Sequence, residues 1–152
     1  METSPDDIFR ILQSKMVKES SDDIFHLLTS ADWSVCKASK ADYLPPTYEQ
    51  DGFIHATKEA NLLLTIANLY YTAAEGDFVV IRIRPSLLKS PIKYEAPAAV
   101  GDQETQQDAA MKFPHIYGPM NIDSVVQEYA VERQSDGTFK KIIGLWWLWY
   151  SF

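Results

Sequence analysis

The chain has 152 residues, 46% hydrophobic and 23% charged, with 14 basic and 21 acidic side chains and a net charge of −7. Such a length and mixture predict one globular domain that buries most of its apolar surface. The acidic balance argues against a general nucleic-acid binder, and no apolar run reaches the roughly 20 residues that cross a bilayer. The single cysteine, Cys36, allows no internal disulfide, and acidic residues in METSPDDIFR stand where a secretory leader has basic ones. A reducing, cytoplasmic setting is therefore expected.

Residues 4–18 read as a helix. Ser4 is the N-cap, Pro5 the first helical residue, and Ile8, Ile11, Leu12 and Met16 form one apolar stripe. A polar break follows. Residues 1–21 are taken as an N-terminal helical extension, 22–139 as a single α+β domain, and 140–152 as a hydrophobic, tryptophan-rich tail. That tail would fold back on the domain, meet a membrane surface, or join two copies as a homo-oligomer.

The domain opens with Asp23-Ile24-Phe25-His26-Leu27-Leu28, a buried-strand pattern with His26 among apolar neighbours. One reading makes His26 a core histidine bonded to a backbone carbonyl. Thr29 and Ser30 can cap a helix over 31–37, which Trp33 and Val35 would pack down. Tyr43 to Tyr48 is extended through its prolines. Asp51-Gly52 marks a turn and Phe53-Ile54-His55 a short strand. Thr57 is expected to cap a long apolar helix over 58–71, placing His55 beside a helix start where a phosphate could bind.

Phe78 to Arg84 alternates as a strand, with Arg82 and Arg84 on a solvated face. Pro85 to Leu88 makes a turn of helix, and Ile92 to Glu95 another strand. Residues 96–111 read as a mobile loop, a candidate lid. FPHIYGP, residues 113–119, presents His115 and Tyr117 on a turn stiffened by two prolines and a glycine. The plain alternative is a turn whose rings satisfy nearby carbonyls. Val125 to Val131 is a strand, and Ser135-Asp136-Gly137 a hairpin turn.

None of the three histidines has a partner at the short spacings of common zinc motifs, so no metal is expected. The chain has no Walker loop and no GxGxxG. His55-Ala56-Thr57 has the HxT form of histidine phosphoesterases, without its second copy.

FHLL, the Trp33 helix, GFIHAT, the Ala67-Asn68 helix, Lys93-Tyr94-Glu95 and FPHIYGP resemble, in that order and over about residues 23–134, the domain-of-unknown-function 952 family. That family's fold resembles the ADP-ribosyltransferase fold, shared with RNA 2′-phosphotransferases. The resemblance implies an α+β domain with two small antiparallel sheets around an NAD-binding cleft and flanking helices. It implies that His26 and Tyr117 contact ribose or base, that His55 and Thr57 meet phosphate, and that His115 is the acid–base residue, with NAD as cofactor. A nucleotide-like small molecule is then the expected partner. The family's late strand offers His115 and Tyr117 where glutamate-dependent transferases carry a glutamate, and Glu95 is the candidate substitute. A transferase and a non-enzymatic ligand sensor both fit this pattern.

Overall fold

The computed structural model describes residues 22–105 and 110–145. The helix expected over 4–18 and the aromatic run from 146 onward lie outside the described residues. Strand β1, Ile24–Thr29, ends on Thr29, whose hydroxyl accepts from the Asp32 N–H at 3.1 Å and caps helix α1, Ser30–Ser39. Trp33 holds α1 down, but Val35 is 67% exposed, against expectation. Two residues along a helix turn a side chain by about 200°, so Trp33 and Val35 cannot share the narrow stripe that meets the sheet.

A single turn, α2, Tyr48–Asp51, precedes β2, Ile54–His55, and closes on Gly52 at φ 81°. A 3-10 turn at Ala60–Leu62 then leads into α3, Leu63–Tyr70. The helix therefore does not start after Thr57. Thr57 exchanges both backbone hydrogen bonds with Phe25, at 2.7 and 2.8 Å. An extended residue paired in this way cannot also cap a helix, and His55 does not stand at a helix N-terminus.

The remaining strands are β3, Phe78–Ile83, β4, Ile92–Glu95, β5, Phe113–Ile116, β6, Val125–Arg133, and β7, Phe139–Ile142. Ser135-Asp136-Gly137 forms the β6–β7 hairpin turn, with Gly137 at φ 97°. Residues 140–142, taken from the sequence as the start of the tail, belong to β7, and Leu145 is buried in the core.

The architecture is α+β, with two antiparallel sheets ordered β1-β3-β6-β7 and β2-β5-β4. Strand β3 is buried at every position. One of its faces, Val79, Ile81 and Ile83, packs with Trp33 of α1 and with Ile54 and Ile116 of the small sheet. Its other face, Phe78 and Val80, packs with Leu63 and Ala67 of α3 and with Phe139. Each such fully buried aliphatic side chain contributes about 1.5–3 kcal/mol. The Phe25–Thr57 bridge ties the two sheets together.

Two further expectations are corrected. Arg82 is buried, and its Nε donates to Asp23 Oδ2 at 2.7 Å, while Arg84 donates to the same carboxylate at 3.2 Å. Alternation shows that the arginines leave one face, not that this face is wet; here Asp23 and the Phe25 ring, 5.6 Å from the Arg82 guanidinium, cover Arg82. FPHIYGP is not a turn, because its first four residues form β5, the central strand of the small sheet. Pro114 is tolerated there because its carbonyl accepts from Ala56 N at 3.1 Å, beyond the last paired residue of β2, so the N–H it lacks falls at the end of the ladder.

Candidate functional site

His26 of β1, His55 of β2, the following Thr57, and His115 of β5 line one cleft, closed by Leu63 and Tyr71 on the α3 side and by Pro97 and Val100 of the β4–β5 connection. The cleft encloses 40 Å³, about the room a single water needs. Tyr117 stands outside that lining, one pleat further along the chain, and joins the site through Glu95.

The two outer histidines are built alike. His55 and His115 are direct partners across the β2–β5 ladder, with ring centroids 5.7 Å apart and planes at 74°. His55 Nε2 donates to Asp51 Oδ2 at 2.9 Å, and His115 Nδ1 donates to Glu95 Oε1 at 3.1 Å. A carboxylate only accepts, so it fixes the ring proton on the nitrogen that faces it. This leaves the lone pairs of His55 Nδ1 and His115 Nε2 unpaired among the described residues. No buried side-chain polar atom lacks a partner among the described residues, so both nitrogens keep some accessible surface, although the His115 side chain is only 3% exposed.

Burial lowers the pKa of His55 and of His115, and the bonds to Asp51 and Glu95 oppose that shift without reversing it. The charge of His55 pushes His115 further down. Both rings are thus neutral bases near pH 7, and the first to take a proton discourages the second.

His26 is different. Its Nδ1 donates to the His55 carbonyl, and its Nε2 accepts from the Tyr43 hydroxyl at 3.2 Å. Burial lowers its pKa to about 4. With both nitrogens engaged, His26 fixes the backbone that carries His55, as a core histidine bonded to a carbonyl does. Thr57 lines the cleft with both backbone groups held by Phe25.

Phe53 completes the site. Its ring stacks on His115 at 4.0 Å and 16°, and meets the edge of His55 at 4.8 Å. Glu95 Oε1 also accepts from the Tyr117 hydroxyl at 2.5 Å, and Lys93 Nζ lies 4.6 Å from the Tyr117 ring centroid. The hydrogen bonds from Tyr117 and His115 hold the Glu95 carboxyl below the usual range. Among the described residues no three His, Cys, Asp or Glu side chains are grouped to hold a metal.

Sequence reasoning missed Asp51, Phe53 and Tyr43, and offered Glu95 only as a stand-in for a transferase glutamate. Asp51 had a signal, four residues before His55 with the Gly52 turn between them. Glu95 had none, because only the β4–β5 register, which pairs Glu95 with Phe113 and Lys93 with His115, sets its carboxylate beside the imidazole.

The class that emerges is an α+β protein with two antiparallel sheets and a histidine-lined cleft between them. The chain belongs to the DUF952 family, described as proteins of unknown function, whose profile matches residues 27–128. In fold it is similar to protein CC0527 from Caulobacter crescentus, whose crystal structure aligns with TM-score 0.59 and 22% identity over 78% of this chain and 93% of that one. A double mutant of the same protein aligns with TM-score 0.59 and 21% identity over the same shares. No curated protein matches this chain. No described helix is long and apolar enough to cross a membrane.

Proposed function

We propose that the cleft binds a ribose-bearing nucleotide of the NAD or ADP-ribose kind on an ADP-ribosyltransferase-like fold related to that of RNA 2′-phosphotransferases. In this reading the protein catalyses a glycosyl, ADP-ribosyl or 2′-phosphate transfer. The observation that carries it is the pair of neutral imidazoles, each with one ring nitrogen not bonded to its carboxylate, that line one cleft between two antiparallel sheets. Two fixed acceptors a few ångströms apart suit the vicinal hydroxyls of a ribose. His115 Nε2 would take the proton of an attacking hydroxyl, since an imidazole works best near neutral pH. Glu95 would set the tautomer of His115 and orient Tyr117 towards the ligand. His26 would act through His55, and Thr57 through the cleft wall.

One observation favours a second reading, a non-enzymatic ligand-sensing domain. Asp51 is committed to His55 and the Gly101 N–H, and Glu95 Oε1 to His115 and Tyr117, so neither carboxylate stands wholly free to orient a nucleophile as a transferase glutamate does. His115→Ala separates the two: turnover lost with binding kept supports catalysis, whereas unchanged turnover removes His115 from the chemistry.

The first experiment is a thermal-shift titration with NAD, ADP-ribose and AMP on the native protein and on His55→Ala. A ligand at a hundredfold excess over its Kd raises the melting temperature by roughly 8 °C for a domain of this size. A rise that His55→Ala abolishes supports the reading, and no rise with any of the three at millimolar levels overturns it.

A further inference from the structure

The cleft as it stands cannot hold a nucleotide. Its 40 Å³ compares with the roughly 300–1,000 Å³ of ordinary ligand sites. Part of its wall is the start of the β4–β5 connection, where Pro97, Ala98 and Val100 face His55 and His115.

Among the described residues, hydrogen bonds at Gly101, Asp102, Gln103 and Thr105 fasten that wall, the last from the Tyr70 hydroxyl at 3.4 Å. Val100 and Gln103 close a tight turn on each other, with Gly101 between them at φ 56°. The Gly101 N–H donates to both oxygens of Asp51, at 3.1 and 3.2 Å. Gln103 Nε2 donates to the Tyr70 carbonyl at 2.7 Å, and Gln50 Nε2 to Asp102 Oδ1 at 2.8 Å. Asp51, whose side chain is only 4% exposed, is also the carboxylate that holds His55 Nε2.

We propose that the turn around Gly101 is the lid of the cleft and that Asp51 is its latch, a positioning residue that holds His55 in its working tautomer only while the lid is down. The proposal rests on the reading above for what enters the cleft, but the latch itself needs no ligand. With the lid down, Gly101 pins the Asp51 carboxylate and covers it, so His55 keeps its proton on Nε2 and its lone pair on Nδ1. With the lid up, Asp51 loses its second donor and gains water, and the His55 ring loses the fixed acceptor that chose its tautomer. The other ionisable neighbours of His55 are His115, with Glu95 behind it, on the small sheet, His26 on β1, and Tyr71 beyond α3. None of them bonds the Gly101 turn.

The test uses the full chain without ligand. Gln103→Ala removes a lid anchor that does not touch His55. Amide exchange at Gly101 and the ¹⁵N shifts of the His55 ring are compared with those of the native protein. Losing one hydrogen bond that holds the lid should speed Gly101 exchange by about fivefold. The His55 shifts should move in the same variant towards a mixture of the two tautomers. Faster exchange with unmoved His55 shifts would overturn the latch, and unchanged exchange would overturn the lid. Gly101→Pro deletes the N–H itself and cannot adopt φ 56°, so it opens the latch by a second route, read by the His55 shifts alone: they should move as in Gln103→Ala, and unmoved shifts would overturn the latch. A nucleotide that fails to bind leaves these outcomes untouched, so the two readings fail separately.

Discussion

His115 and Tyr117, two residues apart on and just after β5, share a single oxygen of Glu95. The bond from each ring to one carboxylate links their titrations. Glu95→Gln removes the negative charge that supports an imidazolium at His115 and that raises the phenol of Tyr117. The pKa values of both rings should therefore fall in the variant, measured by NMR titration of the His115 imidazole and the Tyr117 ring. If either ring keeps its native value, the shared-oxygen arrangement is wrong.

Stability should fall on mild acidification because of His26. Its folded-state pKa is about 4, below the roughly 6.5 of an unfolded histidine. Above both values the ring is neutral in either state and costs nothing. As pH falls between them, the unfolded chain takes a proton that the folded one refuses, and unfolding gains about 3 kcal/mol. His55 and His115, whose pKa values burial also lowers, push in the same direction. Urea melts at pH 7 and at pH 4.5 check this. A midpoint that does not drop would mean that His26 is protonated in the fold.

Asp23→Ala should be among the costliest single changes outside the cleft. It takes the carboxylate from Arg82, buried on β3 with Tyr129 as a further partner, and an acceptor from Arg84. Removing the carboxylate that balances a buried charge costs up to about 3–5 kcal/mol. Chemical denaturation measures the loss. A change below about 1 kcal/mol would place the Arg82 guanidinium in water.

Gly118→Ala should disturb the site from its far side. Gly118 has φ 138°, and a Cβ there would stand 2.4 Å from Ser90 Oγ. The residue follows Tyr117 directly, so the strain falls on the strand end that carries the phenol. A loss of about 1–3 kcal/mol is expected. Ser90→Gly should recover only part of it, since removing the clash leaves the backbone conformation unfavourable. Full recovery in the double variant would mean that the left-handed backbone carries no cost.

The elements whose signals are local were legible in the sequence. The β1, β3 and β4 runs, the Thr29 cap and the Ser135-Asp136-Gly137 hairpin depend on neighbours a few residues away, and they formed where expected. Errors arose where a long-range partner overrode a local signal. Thr57 has the chemistry of a cap but is held extended by Phe25. Arg82 has the chemistry of a surface residue but meets Asp23 across 59 positions of chain. FPHIYGP carries turn residues, yet β2 and β4 on either side make it a strand.

The sequence by itself determined the composition of the site: three histidines in stiff apolar frames, each near a strand, in a chain that mixes helices with strands. Spacing along the chain contains that much, because strand and cap preferences act over a few residues. Only the tertiary structure decided the roles. Register across β2, β5 and β4 set His55 opposite His115 and Glu95 beside it, burial emptied the rings of charge, and the His55 carbonyl and the Tyr43 hydroxyl engaged both nitrogens of His26. These are pairings between residues up to 60 positions apart, and no local preference encodes them. Whether a carboxylate orients a base, holds down a loop, or does both is settled by which donors the fold brings to it.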